Sequence, residues 1–223
     1  MFGLDERVAS FSDGTTTAIV VVVAILLGLR HATDPDHLTA VTTLVASGRA
    51  RAARSAARLG LTWGLGHGTS LFLFGVPVVV AGAYLPSGVQ SGAETAVGAV
   101  IVLLAASLLV RWRRGALRAR ARTRSAAQAY AIGLVHGMGG TAGVGVLLLA
   151  GIHDRALAIV ALALFAICTA LSMAAVSSGF GLVLDAGRVR RVFDRVAPAL
   201  GVAGLAFGVW YALGAQGVVP YVF

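Results

Sequence analysis

Residues 15–47 read TTTAIVVVVAILLGLRHATDPDHLTAVTTLVAS, an apolar run with a polar cluster, residues 30–38, near its middle. As one straight helix the run would be about 50 Å long, well beyond the roughly 30 Å hydrocarbon core of a bilayer. Pro35 lacks the N–H that would reach the carbonyl of His31, and it disfavours helical backbone angles at Asp34. The sequence therefore predicts a helix that is broken at Pro35, with the polar cluster close to mid-membrane.

The composition of the whole chain is typical of a membrane protein. Of its 223 residues, 58% are hydrophobic and 12% are charged, and the mean hydropathy is +0.88. The net charge of +9 is carried by arginine alone, since the chain has no lysine. These arginines lie in short segments between apolar runs, which is typical of topology signals rather than of a nucleic-acid-binding surface. We therefore expect the lipid bilayer as a partner and no nucleic acid.

Six apolar windows are each long enough to span a membrane. They cover residues 15–47 with the break, 59–83, 93–112, 127–150, 156–184 and 196–214. Arginines concentrate in the first, third and fifth segments between these windows, and the positive-inside rule assigns such segments to the cytoplasm. The sequence thus predicts one all-α transmembrane domain, residues 1–223, with the N and C termini both outside.

Four side chains of the polar cluster carry nitrogen or oxygen donors: His31, Asp34, Asp36 and His37. Ionisable groups at bilayer depth are costly and by default indicate a functional site. Imidazole and carboxylate groups together suit a divalent transition metal such as nickel or cobalt. An ideal helix would point His31 and His37 about 120° apart, so unwinding at Pro35 is what allows both to face one ion. The carbonyl freed at His31 is a further candidate ligand.

Two more histidines occur in matching GLxHG segments, His67 within residues 64–68 and His136 within residues 133–137. Glycines spaced four residues apart permit close helix approach in lipid. Each histidine lies about two to three turns from the basic end of its span, at a depth similar to that of the first cluster. We therefore include His67 and His136 among the candidate metal ligands, and we expect the site between the first, second and fourth spans.

The remaining polar features have structural interpretations. Cys168 is the single cysteine, which excludes an intrachain disulfide and a CxxC motif. The fifth span carries Cys168, Thr169, Ser172, Met173, Ser177 and Ser178. We expect these to pack helices, with lining of a pathway as the alternative. The segment His153-Asp154-Arg155 is interpreted as a solvated turn, with a metal-access site as the alternative. For Glu94 the sequence leaves the same two interpretations open.

The polar cluster also resembles the signature of a known family. Arg30, His31, Ala32, Asp34, Asp36 and His37 match the RHAxDADH pattern of the nickel/cobalt transporter (NiCoT) family, which includes shorter high-affinity nickel-transport and urease-accessory-type membrane proteins. Pro35 stands where that pattern has alanine. The segment 64–68 is similar as well, and 133–137 loosely so. Larger members have eight helices, against the six predicted here.

This resemblance implies a non-enzymatic permease of the bacterial cytoplasmic membrane. It implies a role in metal selection for His31, Asp36 and His37, with Ni²⁺ or Co²⁺ as the transported substrate and no bound cofactor. Because the chain has no P-loop, transport would use the membrane potential, an ion gradient or a partner. The oligomeric state and any accessory subunit stay open.

Two other functions compete with metal uptake. The first is efflux of a metal or another solute on the same fold. The second is a membrane acyltransferase, because His31 and Asp36 also satisfy an H-x4-D pattern in which the aspartate orients a general-base histidine. The motifs HExxH and GxSxG are both absent from the sequence, which disfavours an intramembrane metalloprotease or serine enzyme.

Overall fold

The chain folds into helices in the computed structural model, which describes residues 2–47, 53–81, 86–115, 125–137, 139, 152, 154–185 and 187–220. Within these residues the helices are α1 Phe2–His31, α2 Pro35–Ser47, α3 Ala53–Ala81, α4 Ser87–Arg113, α5 Ala126–His136, α6 Arg155–Asp185 and α7 Gly187–Ala215. The regular structure of the described residues is entirely helical. The predicted all-α class is therefore confirmed.

Helices α3, α4, α6 and α7 each contain a stretch long and apolar enough to cross a membrane, and α1 with α2 forms a fifth such span if the pair is one broken helix. They correspond to five of the predicted windows. The sixth window, residues 127–150, begins as α5, and most of its second half lies outside the described residues. A multi-pass membrane protein is thus established, while the count of six spans and the orientation of the termini stay predictions.

The first span breaks where the sequence predicts. The segments Thr17–His31 and Pro35–Val41 meet at a bend of 47°. Pro35 is the first residue of α2, a position where its missing N–H leaves no helical hydrogen bond unmade. The carbonyl of His31 accepts a hydrogen bond from the backbone N–H of Asp34 at 3.2 Å. That carbonyl is therefore already engaged, which weakens the expectation that it serves as a ligand.

Glycines allow α3 to lie against two helices at once. A Cβ at Gly133 of α5 would collide with the backbone carbonyl of Trp63 in α3, and a Cβ at Gly66 would collide with the backbone of α5. On another face, Gly60 and Gly64 lie in close contact with α6. The spacing therefore predicted close helix contacts correctly. Helix α3 is central, with α1 packed on α6 and α4 packed on α7.

The outer surface of the bundle is apolar. In α1, Ile19, Val22 and Leu26 are each more than half exposed, and in α6 so are Ile167 and Leu171. A soluble protein rarely exposes contiguous apolar patches of this kind. Such surfaces suit hydrocarbon chains, and they leave the polar side chains to the interior of the bundle.

Candidate metal centre

The six predicted donor side chains converge inside the bundle. They come from the end of α1 (His31), the break (Asp34), the first turn of α2 (Asp36 and His37), α3 (His67) and the end of α5 (His136). Each of the six residues is at most 4% exposed. The structure therefore brings together every residue that the sequence analysis selected, from four helices.

The break at Pro35 is what brings His31 and His37 together. Their ring centroids lie 4.4 Å apart, whereas on an unbroken helix the two side chains would diverge by about 120°. The ring of His67 lies 5.0 Å from each of them. Three imidazole rings thus surround one point. Two of them, His31 and His37, are only six residues apart in the chain.

Each histidine beside the break is held by a neighbouring aspartate. The Nδ1 atom of His31 lies 3.3 Å from Oδ2 of Asp34, and Nδ1 of His37 lies 3.0 Å from Oδ1 of Asp36. Because an ionised carboxylate only accepts hydrogen bonds, we assign the proton of both rings to Nδ1. This tautomer leaves Nε2 with its lone pair, as in the carboxylate–histidine pairs that support metal ligands in other proteins.

The donor atoms form two groups. Within each group, the ligand atoms all lie within 4.8 Å of one another. One group is His31, His37 and His67, and the other is Asp36, His37 and His136. In the first group, Nε2 of His31 and Nε2 of His67 are 3.0 Å apart. Two nitrogens bound at right angles to one ion, each about 2.1 Å from it, would be separated by about 3.0 Å. This spacing fits a shared metal ion as well as a hydrogen bond.

Several ring nitrogens of the cluster are left without a hydrogen bond. Among the described residues, Nε2 of His37, Nδ1 of His67 and Nδ1 of His136 are buried and have no partner. A buried polar atom without a partner costs about 1–3 kcal/mol. Imidazole nitrogens bind nickel, cobalt and zinc readily. The unpaired nitrogen of His37 in particular, at the centre of the cluster, suits a cation.

Arg30 neutralises one of the two aspartates. Its guanidinium lies 3.2 Å from Oδ1 of Asp34, and its side chain is 71% exposed while that of Asp34 is buried. The sequence left open whether Arg30 holds an aspartate in its ionised form or repels a waiting cation. The contact favours the first role, because a charged partner at this distance stabilises the carboxylate.

Two aromatic residues of the site were not predicted from the sequence. Trp63 is fully buried, with its ring centroid 5.5 Å from that of His37 and 5.6 Å from that of His136. The ring centroid of Phe165 in α6 lies 5.4 Å from that of His31. Trp63 precedes His67 by four residues, a spacing that places both on one helix face and could have indicated its role. Phe165 lies in an apolar run that gives no such signal.

Three of the other polar residues make hydrogen bonds that have a structural role, whereas the buried hydroxyls of Thr169 and Ser177 have no hydrogen-bond partner among the described residues. The hydroxyl of Ser172 donates to the carbonyl of Leu29 at 2.6 Å, which ties α6 to α1. Asp154 accepts hydrogen bonds from two backbone N–H groups at the start of α6, while His153 lies outside the described residues. Glu94 is buried rather than exposed, and it accepts a hydrogen bond from Gln90. The helix-packing interpretation of Ser172 is thus supported by this contact.

The fold and the cluster define a multi-pass α-helical membrane protein with a buried histidine and aspartate centre. Residues 17–115 match the NicO family, described as high-affinity nickel-transport protein. The chain is 22% identical over 207 residues to the urease accessory protein UreH of Bacillus sp. (strain TB-90), covering 86% of this chain and 90% of that protein. No solved structure matches the chain. Both matches support the resemblance to nickel/cobalt transporters that the polar cluster indicated, and the cluster lies within the matched residues.

Proposed function

We propose that the protein is an uptake permease for Ni²⁺ or Co²⁺ that binds the ion at the buried cluster. One observation carries the proposal: four imidazoles and two carboxylates meet at a helix break inside the membrane-spanning bundle. Helices that break within a membrane commonly form the ion sites of transporters. The match to a nickel-transport family supports nickel as the first candidate.

The donor set favours a borderline transition metal over a hard cation. Ca²⁺ and Mg²⁺ are bound by oxygen ligands, usually several carboxylates, carbonyls or waters. Here nitrogen donors outnumber carboxylates, and one of the carboxylates is already paired with Arg30. Imidazole suits nickel, copper, zinc and iron, so geometry and supply, more than raw affinity, would select the metal in the cell.

The membrane potential is sufficient to drive uptake. Moving one elementary charge through 100 mV is worth about 2.3 kcal/mol, so a divalent cation moving to a negative interior gains about 4.6 kcal/mol. At about 1.4 kcal/mol per factor of ten, this sustains an inward concentration ratio on the order of a thousand. Efflux would have to overcome the same free energy with a coupled gradient. Uptake is therefore the favoured direction.

The acyltransferase alternative is less consistent with the contacts. In that mechanism Asp36 would orient His31 as a general base. The aspartate that contacts Nδ1 of His31 is instead Asp34. The two oxygens of Asp36 contact His37 and His136. Permeation of a metal uses all six residues, whereas the H-x4-D dyad uses two of them and leaves the other histidines unexplained.

The test is accumulation of radioactive nickel and cobalt by cells that express the protein. Alanine at His31 or His37 should abolish accumulation while the amount of protein in the membrane stays normal, and alanine at His67 or His136 should impair it. His153→Ala is the matched control, because the sequence places His153 in neither histidine motif and predicts a solvated turn there, and it should transport like the wild type. Normal accumulation by the His31 and His37 variants would refute this assignment of the site.

A further inference from the structure

The two groups of donor atoms share one residue, His37. The first group, His31, His37 and His67, contains only imidazoles, and we call it the imidazole position. The second group, Asp36, His37 and His136, contains a carboxylate, and we call it the mixed position. The ring centroids of His67 and His136 are 6.3 Å apart, whereas that of His37 lies 5.0 Å from His67 and 4.5 Å from His136. His37 therefore lies between the two positions.

The two nitrogens of the His37 ring have different surroundings. Nδ1 lies 3.0 Å from Asp36 and thus belongs to the mixed position. Nε2 is buried and has no hydrogen-bond partner among the described residues. The two ring nitrogens have diverging lone-pair directions, so one imidazole can present one nitrogen to each group. On the side of the imidazole position, Nε2 of His31 and Nε2 of His67 already lie 3.0 Å apart.

The cluster carries too little negative charge to hold two divalent ions at once. Divalent cations on opposite nitrogens of one imidazole would repel each other strongly in a bundle interior of low dielectric constant. One buried aspartate, Asp36, together with neutral imidazoles would not compensate that repulsion. The geometry therefore provides two alternative positions for a single ion.

We propose that one divalent transition-metal ion occupies the imidazole position and the mixed position in turn, passing between them by ligand exchange at His37. The proposal rests on the proposed function and specifies how the ion moves through its site. In the step, the bond from the metal to Nε2 of His37 breaks and a bond to Nδ1 forms. Asp36 accepts the proton that leaves Nδ1 as that nitrogen binds the metal. Because a direct transfer between the two nitrogens of one ring is not possible, this proton then passes through solvent to Nε2 after the metal has left it, so protons and charge balance. The ion remains coordinated throughout, which avoids the large cost of stripping a divalent cation of its ligands inside a bilayer.

The test uses X-ray absorption at the nickel and cobalt edges on the purified full-length protein with one equivalent of metal. His67→Ala removes a ligand of the imidazole position alone, and the bound ion should then show a mixed nitrogen and oxygen shell that includes the carboxylate. His136→Ala removes a ligand of the mixed position alone, and the ion should then show an imidazole-rich shell. Each variant should keep its affinity within about tenfold, while uptake falls by tenfold or more. His37→Ala should lower affinity more than 100-fold.

A single composite site gives a different result. In that case His67→Ala and His136→Ala would show the same shell with one imidazole fewer, and both would lose affinity to the same extent. That outcome would overturn the two positions while leaving the proposed function intact, provided that the wild type binds and transports nickel or cobalt. A wild type that does neither would refute the proposed function itself. If an alanine variant does not fold, His67→Gln and His136→Gln make the same comparison with less loss of volume.

Discussion

Replacing Asp36 by asparagine tests the carboxylate that contacts two histidines of the cluster. Its Oδ1 lies 3.0 Å from Nδ1 of His37, and its Oδ2 lies 3.2 Å from Nε2 of His136. The carboxylate can accept a hydrogen bond at both oxygens, whereas the amide can accept at its oxygen and must donate from its nitrogen. Asp36→Asn therefore keeps the shape of the side chain, loses one acceptor and removes the negative charge.

The size of the effect follows from the two contacts. A hydrogen bond to a charged group contributes about 1.5–3 kcal/mol, and at least one of the two is lost in the variant. Losing one bond of this strength corresponds to about a 10- to 150-fold lower affinity. Substitution of residues that hold metal ligands in other proteins costs about 10- to 100-fold. We expect the apparent KM for nickel uptake to rise by about 10- to 100-fold in Asp36→Asn.

Uptake of radioactive nickel over a range of concentrations measures this change, with the membrane content of protein determined in parallel. Asp154→Asn is the matched control. Asp154 accepts hydrogen bonds from the backbone N–H groups of Ala156 and Leu157, and asparagine serves that N-terminal role almost equally well. The control should leave KM unchanged. An Asp36→Asn protein with wild-type KM would show that the carboxylate neither binds the ion nor orients the histidines that do.

Three other outcomes are expected. In intact cells, cysteines introduced at Gly3 and Val222 should react with a membrane-impermeant thiol reagent and a cysteine at Ala119 should not; the reverse pattern would refute the predicted topology. Gly133→Ala should lower thermal stability and nickel uptake, because its Cβ would collide with the α3 backbone, whereas Gly179→Ala, with open space around it, should be tolerated. In proteoliposomes holding a metal-sensitive dye, an inside-negative potassium diffusion potential should accelerate nickel influx. Influx that responds only to an imposed proton gradient would indicate proton exchange instead.

Much of the candidate site could be predicted from the sequence, because ionisable side chains inside a membrane cost free energy and are therefore rare. An apolar run too long for one span, interrupted by Pro35, predicted the break, and the structure has a 47° bend there. Histidine and aspartate at bilayer depth have few structural explanations, so their selection needed no knowledge of distances. The depths of His67 and His136 followed from counting turns from the basic end of each span. The structure has all of these residues buried in one cluster.

The pairing of donors was not predictable from the sequence. Spacing in the chain suggested His31 with Asp36, as in an H-x4-D dyad, yet the contact of His31 is with Asp34. The reason is the bend, because it turns the first residues of α2 away from the axis of α1. Which aspartate faces which ring depends on the backbone angles of residues 32–35. The periodicity of apolar and polar residues in the sequence does not specify those angles. The contribution of Phe165 likewise depends on how α6 lies against α1.

The different surroundings of the two aspartates bear on how a permease can both bind and release its ion. Arg30 compensates the charge of Asp34, whereas the described polar contacts of Asp36 are to imidazoles. Under the proposed function, an arriving divalent cation would therefore meet the attraction of one uncompensated carboxylate rather than two. Conduction requires binding that is strong enough to dehydrate the ion and weak enough to let it leave. Neutral imidazoles supply coordination without adding charge. The pair of Arg30 and Asp34 holds His31 in place without increasing the electrostatic attraction for the ion.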